Sequence, residues 1–172
     1  MATAFTRVAT PLGELLLTAS ESALTGVYFP TSRHGPPPAE RAGWVEDDGC
    51  GPAGALLARA RRQLEDYFAR GRTAFELPLD PAGSAFQQRV WDAISAIPYG
   101  TTASYSELAR RLGDPRTSRA VGAATGKNPL PIIVPCHRVV GARGELTGFG
   151  GGLDRKRWLL EHEGALMMLG RA

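Results

Sequence analysis

A change in hydrophobic pattern near residue 80 is the feature that most constrains the fold of this 172-residue chain. Before it, short runs of alternating or β-branched residues favour strands. After it, apolar residues recur every three or four positions, which favours short helices. The segment between the two regions, residues 80–83 (DPAG), has the composition of a linker. We therefore predict an α+β protein with two small domains, residues 1–80 and residues 84–172.

The first domain is predicted to be an antiparallel sheet with one helix. An apolar residue at every fourth position, followed by a glycine, predicts an amphipathic helix over residues 55–70. Residues 31–54 precede this helix, are rich in Pro and Gly, and are predicted to form a long irregular loop. The predicted strands cover residues 5–8, 14–19, 24–29 and 75–79.

The second domain is predicted to begin with three short helices. Ser84 is a good N-cap for the first, and residues 104–107 (SYSE) have the pattern of a capping box for the second, which stops at Gly113. Asp114 and the proline after it suit the start of a third helix that ends at Gly126. Two short helices joined by a tight turn predict a helix-turn-helix unit.

The third helix has an unusual composition for a helix that contacts DNA. Apart from Arg119, its residues 118–124 are small, and one of them is Gly122, although glycine inside a helix costs about 1 kcal/mol relative to alanine. Small residues favour close approach of another molecule to the helix backbone. Packing against another helix of the protein is one interpretation. The other is insertion into a narrow minor groove of DNA, because such short side chains cannot reach across a major groove.

Charge and composition narrow the functional classes. The net charge is +3, with −2 over residues 1–84 and +5 over residues 85–172, so the later half is the better candidate for binding a polyanion, unless it carries only a solvated basic face. No apolar run has the length of a membrane span, and the N-terminus lacks the pattern of a signal peptide. Cys50 and Cys136 are too few for a disulfide framework or a zinc site. We expect a soluble cytoplasmic protein with reduced thiols.

The segment around Cys136 is the best candidate for chemistry. Strand-like residues 132–134 and 139–140 flank a thiol, an imidazole and a guanidinium, and Pro135 indicates a rigid turn that presents the thiol. His137 could serve as its base, although neighbouring residues of a regular strand point to opposite faces, so cooperation requires an irregular backbone or a bridging water. The alternatives are an inert buried cysteine and a hydrogen-bonded core histidine.

These residues resemble the active-site signature of the O6-alkylguanine-DNA alkyltransferases, which transfer alkyl groups from guanine to themselves. The match extends from about Phe86 to Gly164, with several spaced motifs in the family's order. The N-terminal half is similar only in its layout of strands and a helix, which in the family is an RNase H-like domain. The matching motifs are residues 104–105 (SY), 118–122 (SRAVG), 128–129 (NP), 135–139 (PCHRV), 151–153 (GGL) and 158–164 (WLLEHEG).

The resemblance implies a catalytic set. Cys136 would be the nucleophile, His137 would withdraw its proton through a water, and Glu163 would polarise the imidazole. Asn128 would brace the turn around the cysteine. Tyr105 would rotate the phosphate of the damaged nucleotide and assist the leaving base.

The resemblance also implies irreversible, single-turnover repair of duplex DNA after base flipping. A winged-helix-like domain would enter the minor groove, and no cofactor would be needed, because the damaged DNA is the alkyl donor. A monomer is expected, because the sequence has no repeat or heptad pattern. O4-alkylthymine stays open as a second substrate. Arg119 would occupy the space of the extruded base. The implied DNA contacts are Tyr105, Ser106, Ser118, Arg119, Ala120, Gly122 and Ala123, and the implied pocket residues are Val139, Phe149, Gly150 and Gly151.

Two departures from the family pattern change the expected site. Some relatives have a tyrosine and a serine where Phe149 and Gly150 stand, so guanine O6 is expected to be held by backbone N–H groups. The metal ligands that some relatives carry in the N-terminal domain are missing. No metal site is expected, because His34 and His162 have no ligand-spaced partners.

Three other functions compete with DNA repair. An alkyltransferase-like protein would recognise the lesion without repairing it, but such relatives replace the cysteine, which Cys136 argues against. A helix-turn-helix regulator with an inert cysteine would bind undamaged duplex at specific sequences. A cysteine hydrolase would turn over repeatedly on small esters or amides.

Overall fold

The computed structural model describes residues 3–30, 35–47 and 49–166, and the chain separates into two compact units, Met1–Ala82 and Gly83–Ala172. The mixture of sheet and helix is that of the predicted α+β class. None of the helices in the described ranges is long and apolar enough to span a bilayer.

The first unit is a four-stranded sheet in the order β3-β2-β1-β4. Strands β1 (Ala4–Thr10), β2 (Gly13–Ala19) and β3 (Leu24–Tyr28) form the predicted antiparallel meander. Gly13 closes the first hairpin with a φ of 105°, a conformation that favours glycine. Helix α2 (Gly51–Phe68) packs against β1 and β2. The core between them consists of Leu15, Leu17, Leu57, Ala60 and Leu64.

The predicted loop at residues 31–54 is wrong in part. Its described residues contain a short helix, α1 (Pro38–Arg41), and a strand, β4 (Val45–Glu46), while α2 begins at Gly51 rather than at residue 55. Residues 31–34, including His34, and residue 48 lie outside the described ranges. Strand β4 forms because its backbone pairs with the edge of β1, where Val45 N donates to the Thr3 carbonyl at 2.9 Å. Because this pairing partner is far away in the sequence, the two residues of β4 carry no local pattern that would predict a strand.

The predicted strand at residues 75–79 is reduced to one isolated bridge between Leu79 and Leu24. The backbone of Glu76 is occupied instead by the amide of Gln63 on α2. The Glu76 N–H donates to Gln63 Oε1 at 2.9 Å, and Gln63 Nε2 donates to the Glu76 carbonyl at 3.1 Å. These two bonds satisfy the backbone N–H and C=O of Glu76, so this residue does not need a neighbouring strand.

Helices α3 (Ala85–Ser95), α4 (Tyr105–Arg111) and α5 (Ser118–Gly126) form the start of the second unit. Ser84 caps α3 with a reciprocal bond to Gln87, as predicted for an N-cap. Trp91 is buried on α3 and donates its indole N–H to the Ala124 carbonyl at 2.9 Å, which ties α3 to α5.

Two predicted details of these helix starts differ from the structure. Ser104 accepts from the Glu107 N–H at 3.1 Å, but the Glu107 carboxylate lies beside the Ser104 hydroxyl, so half of the capping box is formed. Ser104 also belongs to strand β5 (Ala103–Ser104), which pairs in parallel with β6 (Val139–Val140). Asp114 caps a 3₁₀ turn over Pro115–Thr117 rather than α5 itself. Helix α6 (Leu153–His162) completes the described elements of this unit.

Candidate active site

The turn that carries Cys136 is braced by Asn128. Its Oδ1 accepts from the Leu130 N–H at 3.0 Å, and its Nδ2 donates to the Val134 carbonyl at 2.8 Å. Residues 132–134, predicted as strand, are a turn in which Ile132 has a φ of 74°. This conformation is unfavourable for a β-branched residue, and burial of Ile132 and the bonds of Asn128 hold it.

Cys136 begins a 3₁₀ helix, Cys136–Arg138, that follows Pro135. A 3₁₀ helix has about three residues per turn, so its consecutive side chains are about 120° apart rather than on opposite faces. The irregular backbone that cooperation between Cys136 and His137 requires is therefore present. All three side chains of this helix are buried, and Cys136 is 6% exposed.

His137 and Arg138 both bind Glu163, the C-cap residue directly after α6. His137 Nε2 lies 2.8 Å from Glu163 Oε2, while Arg138 donates Nε to Oε1 at 2.8 Å and Nη2 to Oε2 at 3.0 Å. Arg138 Nη1 also donates to the Ile97 carbonyl at 2.7 Å. Although burial by itself raises the pKa of Glu163, its hydrogen bonds with His137 and Arg138 and the positive charge of Arg138 outweigh this effect and lower the pKa to about 2.

This arrangement determines the proton positions on His137. Ionised Glu163 can only accept, so Nε2 of His137 carries the proton that they share. Burial lowers the pKa of His137, which keeps the ring neutral and leaves Nδ1 as a basic lone pair. Nδ1 is buried and has no hydrogen-bond partner among the described residues. It is therefore able to accept a proton from a neighbouring group.

The Cys136 thiol requires such a base. Burial raises its pKa above the ordinary thiol value, although a hydrogen bond with Asn128 and the charge of Lys156 act in the opposite direction. A neutral thiol is a weak nucleophile, because the thiolate is the reacting form.

Tyr105 and Lys156 meet at the same residue, Thr147. The Tyr105 hydroxyl lies 3.3 Å from the Thr147 carbonyl and 3.3 Å from Thr147 Oγ1. Lys156 Nζ donates to the carbonyls of Thr147 at 2.7 Å and of Val139 at 2.6 Å. Burial raises the pKa of Tyr105, and the charge of a Cys136 thiolate would raise it further, whereas the hydrogen bond with Thr147 lowers it.

No site role follows from the sequence for Lys156 or Arg138. Residues 155–157 (RKR) predict a solvated helix face, and this prediction is wrong for Lys156, which is fully buried, whereas Arg157 is exposed. The spacing of Lys156 in the sequence could have indicated its burial. Lys156 lies three and four positions before the buried Leu159 and Leu160, which places the three residues on one face of the helix.

The small-residue helix α5 has two distinct faces. Val121, Ala124 and Thr125 are buried, and the helix packs against α3 and α4, which accounts for the small residues on that side. The implied DNA contacts on the other side differ in exposure. Arg119, Ala120 and Ala123 are exposed, whereas Ser118 and Gly122, with Ser106 at the start of α4, are half-buried.

Packing inside the protein does not require glycine at position 122. A Cβ added to Gly122 would meet the Tyr105 ring at 3.8 Å, which is ordinary van der Waals contact. A methyl group therefore fits, and alanine would be the better helix former.

The implied pocket residues follow the cysteine in the chain. Val139 is buried in β6 and Gly151 is buried just before α6, while Phe149 and Gly150 are half-buried. Cys50, the other thiol, is exposed in the first unit. Within the ranges that the structure describes, no three His, Cys, Asp or Glu side chains form a group that could bind a metal.

The fold and the site together define a class of protein: a helix-turn-helix domain in which a buried cysteine lies next to a neutral histidine held by a glutamate. Models of the two domains of 6-O-methylguanine DNA methyltransferase match most of the chain. The ribonuclease-like domain matches residues 4–81, and the DNA binding domain matches residues 85–165. The chain belongs to this family, as the resemblance predicted, and its partner is DNA.

Individual relatives agree with this assignment. The methylated-DNA–protein-cysteine methyltransferase of Mycobacterium leprae is 47% identical over 153 residues, which is 89% of this chain and 87% of that protein. The protein of the same name from Methanosarcina acetivorans is 44% identical over 155 residues, 90% of this chain and 94% of that one. The crystal structure of Mycobacterium tuberculosis OGT in complex with DNA superimposes with a TM-score of 0.83 at 44% identity, covering 94% of this chain and 93% of that chain.

Proposed function

We propose that the protein repairs O6-alkylguanine in duplex DNA by moving the alkyl group irreversibly to Cys136. The observation that carries this proposal is the unpartnered Nδ1 of His137, a buried neutral base in the residue next to a buried thiol. The family to which the chain belongs, and the names of its relatives, agree with this chemistry.

The reaction is an in-line displacement in which the damaged DNA is the alkyl donor. The Cys136 proton moves to Nδ1 of His137, directly or through a water, and ionised Glu163 stabilises the imidazolium through Nε2. The thiolate attacks the alkyl carbon, the S–C bond forms, and the C–O6 bond breaks with its electron pair leaving on guanine. The Tyr105 hydroxyl is proposed to give the leaving base its proton and to regain one from solvent.

Turnover ends with the product. Cys136 becomes a thioether, and a thioether is not cleaved by any of the groups proposed for this site. One molecule therefore repairs one lesion. The reaction needs no cofactor, because the damaged DNA is the alkyl donor, and the proposal includes a monomeric protein. The reaction requires a reduced thiol, which favours the cytoplasm as its compartment.

DNA contact is assigned to α5 and the start of α4. The alkyl group of a stacked base is out of reach of a buried thiol, so the nucleotide must leave the duplex. Ala120, Gly122 and Ala123 allow the backbone of α5 to approach a minor groove closely, and Arg119 fills the vacated stack. Tyr105, Ser106 and Ser118 are assigned to the phosphate backbone of the flipped nucleotide.

The flipped base is assigned to a pocket walled by Val139 and Phe149. Gly150 and Gly151 offer backbone N–H groups to guanine O6, in place of the side-chain donors of some relatives. Asn128 maintains the turn geometry that aims the thiol at the alkyl carbon.

The proposal is tested with a duplex that carries one O6-methylguanine with an isotope-labelled methyl group. The label should move to the protein and leave unmodified guanine in the DNA. Cys136→Ser should not accept the label, whereas the matched control Cys50→Ser, which removes the exposed thiol, should accept it at the wild-type rate. Label that stays in the DNA despite tight binding would favour recognition without repair. Label that reaches the Cys136→Ser variant would place the acceptor elsewhere.

A further inference from the structure

Lys156 is a fully buried charged side chain that the reaction proposed above does not use. Its ammonium donates to two backbone carbonyls, those of Val139 and Thr147, and no carboxylate pairs with it in the described part of the chain. We propose that Lys156 is a positioning residue for alkyl transfer, which joins the strand after the cysteine to the Tyr105-binding residue Thr147 and provides the cationic charge that stabilises the Cys136 thiolate. This inference rests on the proposed function, whose nucleophile it serves.

The burial of Lys156 has an energetic cost. Burying an ammonium group removes its hydration, and two carbonyl dipoles compensate less than an ionised partner would. Burial accordingly lowers the pKa of Lys156 to about 8. An apolar side chain of similar length could fill the same space without this cost, so packing does not explain a lysine here.

Lys156 connects two segments of the site through its bonds to Val139 and Thr147. Val139 follows the 3₁₀ helix of Cys136 directly, and Thr147 is the residue that the Tyr105 hydroxyl contacts. Lys156 therefore links the segment that holds the nucleophile to the segment that holds the residue assigned to the leaving base. A change in this link would move both segments relative to one another.

Lys156 and Cys136 also interact electrostatically. The charge of Lys156 lowers the pKa of Cys136, and a Cys136 thiolate raises the pKa of Lys156 in return. The other groups around this pair are the neutral His137, the ionised Glu163 and the phenol of Tyr105. The permanent charge of Arg138 is already bound by Glu163. Among these residues, Lys156 is thus the cation available to the thiolate.

The test uses the thiol alone, so that it does not depend on DNA repair. In a Cys50→Ser background, Cys136 is methylated by methyl iodide, a reaction in which the thiolate attacks the methyl carbon and iodide leaves. Peptide mass spectrometry follows the rate from pH 6 to pH 10 for wild type, Lys156→Met and Lys156→Arg. Arg157→Met removes the exposed cation next in the chain and is the matched control.

The expected result is a displaced pH profile. In Lys156→Met the midpoint moves to higher pH, and the rate below the midpoint falls by about threefold or more, the effect of half a pKa unit. Lys156→Arg retains the charge and stays closer to wild type, and Arg157→Met does not change the profile. A rate that falls equally at every pH, or no change at all, would overturn the electrostatic role. Failure of both Lys156 variants to fold would also overturn the proposal, because the lysine would then serve folding.

The two proposals fail separately. If wild type does not take a methyl group from DNA but the Lys156→Met profile is displaced, the repair function is wrong and the charge effect remains. If wild type repairs DNA and the profile is not displaced, the role of Lys156 is wrong.

Discussion

Oε2 of Glu163 lies 2.8 Å from Nε2 of His137, and both side chains are completely buried. Because Arg138 binds the same carboxylate, the glutamate stays ionised and fixes the histidine as the tautomer with a free Nδ1. One carboxylate thus sets the protonation of the base beside the nucleophile.

Glu163→Gln should damage stability and chemistry together. The amide leaves Arg138 as a buried cation without its partner, which should lower the free energy of unfolding by about 3 kcal/mol. The glutamine amide can also present an N–H to His137 in place of the carboxylate acceptor. The histidine then loses the partner that fixes its tautomer, so methyl transfer should slow by at least about tenfold. Urea unfolding and single-turnover kinetics measure the two effects. Glu161→Gln, an exposed position on the same helix, should change neither, and equal effects at both positions would contradict the account.

Acidification should destabilise the protein in two stages. The pKa of His137 is lower in the folded protein than in the unfolded chain, where it is about 6.5. The stability that the neutral imidazole contributes is therefore fully present above that pH. It is lost at lower pH, because the unfolded chain then takes up a proton. The folded pKa of Glu163 is about 2, so its contribution is present above the unfolded value and is lost as the pH falls toward 2. Urea unfolding at pH 7.5 and 5.5 measures the first stage, and unfolding at pH 4 and 2.5 measures the second.

The first stage is attributable to one residue. Between pH 6.5 and 5.5 the loss from His137 should be at most about 1.4 kcal/mol for one proton. His137→Gln should remove that part of the slope. An unfolding free energy that is constant from pH 7.5 to 5.5 in wild type would show that the buried imidazole is not held neutral.

Gly122→Ala should separate folding from DNA binding. The added methyl group fits against the Tyr105 ring and improves helix propensity, so the free protein should gain up to about 1 kcal/mol of stability. If α5 enters a minor groove at this position, affinity for duplex DNA should nevertheless fall. Gly126→Ala, at the end of α5 where an added Cβ meets nothing, is the matched control. Unchanged DNA affinity in Gly122→Ala would place this face away from DNA.

Arg119→Ala should slow repair only in a duplex. The side chain is exposed, so thermal unfolding should not change. A side chain that fills the space of a flipped base offsets part of the unstacking energy, which is a few kcal/mol. Loss of the Arg119 side chain should therefore slow transfer from duplex DNA by about tenfold. Transfer from the free O6-methylguanine base, which needs no flipping, should match wild type. An equal loss on both substrates would assign Arg119 to the pocket instead.

The sequence predicted those parts of the fold that depend on local pattern. The strands around Leu17 and the capped helix after Ser84 follow from alternation and from one side-chain bond. Strand β4 and the Glu76 segment depend on partners far away in the chain, an edge of β1 and the amide of Gln63, which no local pattern encodes.

The site was predictable in identity but not in geometry. The motif around Cys136 indicated the nucleophile and its neighbours, whereas the tautomer of His137 depends on the shared carboxylate of Glu163. Residues 132–134 form a turn rather than the predicted strand, because buried apolar residues suit either structure and the bonds of Asn128 hold the turn here. The burial of Lys156 was not predicted, because a lysine between two arginines is typical of a solvated helix face. In the structure Lys156 lies on the buried face of α6.

The most direct test of the central claim is the number of methyl groups that one protein molecule can accept. Intact mass spectrometry follows the protein as duplex carrying O6-methylguanine is added to excess, and peptide mapping locates the modification. Methylation should stop at one group per molecule, on Cys136, with one lesion repaired for each protein molecule. Repair of more lesions than there are protein molecules, or a methyl group on another residue, would contradict it.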